Sequence, residues 1–107
     1  MSAFDPFNAI IARPEKPLAH GRDGPLAGER LAVKDIYDVA GMATGCGNPH
    51  KKAESPVAER SAPAVEKLLG AGAHFLGKPQ TDELAFSLMG QNAHFAHPVN
   101  SAAPGRV

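Results

Sequence analysis

A chain of 107 residues makes one small domain or part of a larger one, and its 11 basic and 11 acidic residues leave no net charge. With no run of one sign, no Trp and only 6% aromatics, it lacks both the electrostatic grip and the stacking platforms that nucleic acids and anionic membranes require. The single cysteine, Cys46, rules out an internal disulfide, and "MSAFDPFNAIIARP" has neither the basic start nor the long apolar core of a secretory signal, so the expectation is a soluble cytoplasmic protein.

Phe4 to Ala12 reads as a short helix docked by Ile10 and Ile11. The Pro/Gly-rich "RPEKPLAHGRDGPLAG" is a surface loop, so residues 1–23 form an N-terminal segment and loop ahead of the body of the fold at 24–107. Leu31 to Tyr37 is apolar on both faces except at Lys34 and Asp35, which predicts a strand in a covered sheet. "DVAGMATGCGN" follows as a turn and a glycine-rich loop. Ser61 suits an N-cap, Pro63 the first helical turn, and Val65, Leu68 and Leu69 fall at i, i+3 and i+4, with Gly70 and Gly72 as stops. "AHFLGK" is then a buried strand. Thr81 caps a second helix with Asp82 and Glu83 in its first turn and Leu84, Phe86, Leu88 and Met89 as its apolar surface. Strand, helix, strand, helix implies parallel pairing and an α/β class. The tail "HFAHPVNSAAPGRV" has no periodicity, and so thin a core suggests part of a larger domain.

Alternation places Ala32, Lys34 and Ile36 on one face of the first strand and Leu31, Val33, Asp35 and Tyr37 on the other. A lysine between apolar neighbours is partly desolvated, and desolvation disfavours the ammonium form and leaves a usable base. The ordinary alternative is a strand-end lysine that reaches water or pairs with Asp35 or Asp38. His94 and His97 have an i, i+3 spacing, but Pro98 opposes a helix and no carboxylate or cysteine completes a metal site. Cys46 beside His50 could be a thiol nucleophile, yet no third group is evident and a small loop residue fits better. Gly45-x-Gly47 is too short for a phosphate loop, and Phe86 reads first as core.

Four pieces in order, "GPLAGERLAVKDIYDVAGMATGCGNP", "SAPAVEKLLGAGAHFLGKPQTDELAFS", "GQNAHFAHPVN" and "PGRV", resemble the amidase signature family of serine amidohydrolases from about Gly24 onward. Each motif is weak alone; the ordered set is strong. "GCGNP" and "GQNAHF" look most like the indole-3-acetamide hydrolase type within it. The resemblance implies the N-terminal part of that fold, a mixed, largely parallel sheet covered by helices. It also implies that Lys34 is the base of a Ser–cis-Ser–Lys triad. A nucleophilic serine would attack an amide carbonyl, pass its proton through the bridging serine to Lys34, and form an acyl-enzyme that releases ammonia or an amine. Gly45, Cys46, Gly47 and Asn48 would lie near the acyl pocket, and Ala85 and Phe86 match positions that line it in some relatives. The implied partners are a small-molecule amide and the remaining C-terminal part of the amidase, with a homodimer possible and no cofactor or metal. In the family the two triad serines stand in a glycine/serine-rich segment expected after "PGRV". Ser2, Ser55, Ser61, Ser87 and Ser101 match neither, so the chain alone is expected to be inactive. "GKPQTDELA" departs from the family's usual Thr-Asn after Gly-Lys. A glutaminase subunit of a tRNA-dependent amidotransferase and a non-catalytic fragment acting by complementation are the rival readings.

Overall fold

A computed structural model describes residues 4–106. Three strands form one mixed sheet in the order β1-β3-β2: β1 spans Ile10–Ala12, β2 Arg30–Ala32 and β3 His74–Pro79. β3 is central, parallel to β2 and antiparallel to β1. Helix α1 (Pro49–Glu54) and helix α2 (Pro63–Gly70) lie between β2 and β3 in the chain. The α/β class and the parallel β2–β3 pair are as the residue pattern implied. No helix among the described residues is long and apolar enough to cross a membrane.

The core is small. Val33, Val39, Met42, Val65, Leu69 and Phe75 pack together, with Leu31, Ala12, Leu18 and Ala62 against them. Burying each large apolar side chain of this set contributes roughly 1.5–3 kcal/mol. Helix α2 supplies Val65 and Leu69, one turn apart, while Leu68 stays 39% exposed. Gly72 ends that helix region at φ +107°, and a Cβ there would meet Ala27 N at 2.7 Å, so the position requires glycine twice over.

Four expectations are corrected. Phe4 to Ala12 is not a helix: the Asp5 carboxylate accepts from the N–H groups of Ala9 and Ile10 at 2.9 and 2.8 Å, Asn8 takes φ +56°, and the chain emerges as β1. Leu31 to Tyr37 is strand only to Ala32. Val33 N still donates to Gly77 O at 3.2 Å, and the Lys34 carbonyl then closes a turn by accepting from Ile36 N and Tyr37 N. Ser61 does not cap α2; Ala62 stands at that position, and the Ser61 hydroxyl accepts from Ala40 N instead. The helix after Thr81 is a single 3-10 turn, Glu83–Ala85, with Leu84 and Ala85 both left-handed at φ +53° and +57°. Its apolar residues have nothing to pack on among the described residues, leaving Phe86 95% and Leu88 99% exposed, and a helix without a packed face gains too little to form.

Candidate active site

The buried charge in this fold is not Lys34. Lys34 is exposed, whereas Asp35 is buried on the opposite face, beside Val33. The alternation of the two faces holds from Leu31 to Asp35, with inward and outward exchanged, and ends at Tyr37, which is exposed. The fully buried cation is Lys78 on β3, with none of its side chain exposed. Its Nζ donates to Asp35 Oδ1 at 2.8 Å, to the Tyr37 carbonyl at 3.0 Å and to Thr44 Oγ1 at 3.4 Å. Three acceptors for three N–H donors is what makes an interior ammonium tolerable. Sequence reasoning missed Lys78. The available signal was the buried run "AHFLG" leading straight into it, with Asp35 as the only polar partner on a second strand-like run.

Asp35 gathers the neighbouring segments. Its carboxylate accepts from Gly45 N (3.3 and 3.2 Å to the two oxygens), and its carbonyl accepts from Cys46 N at 2.8 Å. Asp38 accepts from the Thr44 hydroxyl at 2.6 Å. Both carboxylates that the sequence offered as partners for Lys34 are therefore engaged elsewhere. The Lys34 side chain borders a groove of about 230 Å³ that is otherwise lined by Leu31, Ala32, Val33, Tyr37, Ala64, Val65 and Leu68.

The glycine-rich loop is held by its backbone. Gly45 and Gly47 are buried, and Cys46 is half-buried at φ +52°. A Cβ on Gly47, where φ is +75°, would meet Asn92 Nδ2 at 2.8 Å and Thr81 O at 2.9 Å. Asn92 Nδ2 donates to Gly47 O at 2.7 Å and Thr81 O at 2.9 Å, tying the tail to the loop. Asn48 caps α1 by accepting from Lys51 N at 2.9 Å. Leu84 N donates to Cys46 O at 2.8 Å, which sets the turn carrying Ala85 and Phe86 against Gly45–Asn48. The loop and that turn are thus brought together through Cys46 and joined to Asp35, whereas Lys34 faces the other way and its groove includes neither. The Phe86 ring, expected in the core, points to solvent. His94 contacts Glu83, and no cluster of three His, Cys, Asp or Glu occurs among the described residues.

The sequence matches a family model described as Amidase over residues 7–107. It is 41% identical over 101 residues to Amidase 1 of Oryza sativa subsp. japonica, covering 94% of this chain and 23% of that protein. It is 41% identical over 80 residues to a glutamyl-tRNA(Gln) amidotransferase subunit of Methanosarcina mazei, covering 75% of this chain and 16% of that protein. Among solved structures, it is similar to a chain from a vestigial protein complex bearing on the origins of an s-triazine catabolic enzyme. That match has a TM-score of 0.71 and 34% identity, over 78% of this chain and 18% of the other. The chain spans about a quarter or less of the length of these proteins.

Proposed function

The chain belongs to the amidase family, and from that premise we propose that it forms the N-terminal part of a hydrolase that converts a small carboxamide to carboxylate and ammonia. Lys34 is the proton acceptor in this reading. The observation that carries it is the arrangement around Lys34: an exposed amine at an apolar groove, next to a buried aspartate that is already paired with a different lysine. A general base must first be deprotonated, so this reading requires the remaining part of the amidase to cover the exposed amine; with both neighbouring carboxylates engaged elsewhere, neither holds it in the ammonium form. The bridging and nucleophilic serines would come from the remaining part of the amidase. Of the chain's own serines, the Ser61 hydroxyl serves Ala40 N, and Ser55 bonds within α1 to the Lys51 carbonyl. The Gly45–Asn48 loop and the Ala85–Phe86 turn, which bond to each other through Cys46, are assigned to the acyl pocket on the family resemblance. No cofactor enters the proposal, and a cytoplasmic location goes with it.

The test is ammonia release by the complete protein with indole-3-acetamide, benzamide and glutamine. Turnover of an aromatic amide, lost in Lys34→Ala by a factor of about 100 to 10,000, supports the proposal. Undiminished turnover by that variant refutes the role of Lys34. A second reading, the glutaminase subunit of an amidotransferase, draws on the similarity to the Methanosarcina protein. It predicts glutamine as the preferred substrate and a co-purifying partner protein. A chain that shows no activity but binds the separately expressed remainder favours complementation alone.

A further inference from the structure

We infer that Lys78 is a positioning residue for Lys34: it holds Asp35 inward and so keeps the Lys34 amine free. The inference rests on the reading of Lys34 as proton acceptor. The three acceptors of the Lys78 ammonium, Asp35, Tyr37 and Thr44, all come from the ten residues that begin immediately after Lys34. Lys78 itself sits on the middle strand, opposite Ala12 of β1, and the same strand pairs with β2 through Gly77. The turn carrying Lys34 is therefore set by a charge fixed in the sheet. On that turn Asp35 is drawn inward while Lys34, the residue before it, is left exposed.

The same pairing decides which cation Asp35 serves. The carboxylate is buried, with its side chain 5% exposed, and it accepts from Lys78 Nζ and Gly45 N. Without Lys78 it becomes an uncompensated interior charge, and such a charge recruits the nearest cation or drags its backbone toward water. Lys34 is its sequence neighbour, and an amine captured by Asp35 no longer accepts a proton from a serine relay.

The experiment is steady-state hydrolysis of benzamide or indole-3-acetamide by the complete amidase, each variant assayed well below its melting temperature. Lys78→Met is expected to lower kcat about 10- to 100-fold with KM within about twofold, the size of effect that a misplaced reacting group produces. Adding Asp35→Asn to Lys78→Met removes the unpaired charge while the amide oxygen still accepts from Gly45 N, and kcat should return to within about fivefold of wild type. A merely structural Lys78 predicts a lower melting temperature with kcat unchanged, and that result overturns the inference, as does a double variant no better than Lys78→Met. Should Lys78→Met not fold, Lys78→Gln keeps a polar side chain on β3 but removes the charge that compensates Asp35; unchanged kcat there overturns the inference equally. Lys34→Ala separates the two levels. If it turns over like wild type, the reading of Lys34 fails and this inference with it. If it is inactive while Lys78→Met retains full kcat, only the positioning role fails.

Discussion

Lys34 stands exposed on its turn while the residue after it is buried, and the two positions answer differently to mutation. Lys34→Ala removes no buried contact among the described residues, so the melting temperature of the complete protein should stay within about 2 °C of wild type even as turnover falls. A drop of several degrees together with retained kcat would mean that this lysine is structural. Asn92 is the opposite case, a polar side chain with no proposed chemistry whose amide meets two backbone carbonyls and whose Oδ1 accepts from His94 N. Asn92→Ala leaves those groups unpaired at a cost of about 1–3 kcal/mol. The expected readout is faster proteolytic cleavage between Thr81 and Phe95 than in wild type; equal cleavage rates would show that the tail is held by other means. The lysine's place in the site was legible because a charged residue in an apolar run is conspicuous. Its direction was not, since period-two alternation assigns two faces without saying which is inward, and the deciding partner lies 43 residues away on β3.

At the scale of elements, two glycines on neighbouring elements make opposite predictions. Gly77 lies in the middle strand, where an added Cβ would sit 2.7 Å from Ala12 O and 2.8 Å from Ile10 Cγ2. Gly77→Ala should force β1 away and cost about 1–3 kcal/mol, seen as a lower urea midpoint and early exchange of the β1 amides. Gly70 is the last residue of α2, with open space around a Cβ and no positive φ. Gly70→Ala should raise stability by about 0.5–1 kcal/mol through helix propensity. A stabilising Gly77→Ala or a destabilising Gly70→Ala would contradict the packing described. β3 and α2 were readable from short apolar patterns that burial follows at Phe75 in β3 and at Val65 and Leu69 in α2, though not at Lys78 or Leu68. β1 was not, since "NAIIA" carries apolar residues compatible with either a helix or a strand. The choice is made by the Asp5 carboxylate and by the edge of β3, one a side-chain cap and the other a distant partner. The segment after Thr81 has a helical apolar pattern but no surface to satisfy it, which periodicity alone does not reveal.

Across the whole molecule, Leu84, Phe86, Leu88 and Met89 cluster in sequence and are all exposed, a liability for a chain with so small a core. The 107-residue chain expressed alone should therefore self-associate, and Phe86→Ser/Leu88→Ser should shift sedimentation toward monomer. Wild-type sedimentation independent of concentration would show that these side chains are shielded in solution. The sheet order carries a consequence for biosynthesis. Ile10 pairs with Pro79, so β1 leaves the ribosome 69 residues ahead of the strand it joins. At about 5–20 residues per second that is roughly 3–14 s during which the segment has emerged without its partner. β2 waits a shorter time, with Arg30 opposite His74, and closes a smaller loop. The parallel pair can thus form first and the antiparallel strand is added to an existing edge, so β1 is the last of the three strands to be protected during synthesis and the one longest offered to a chaperone.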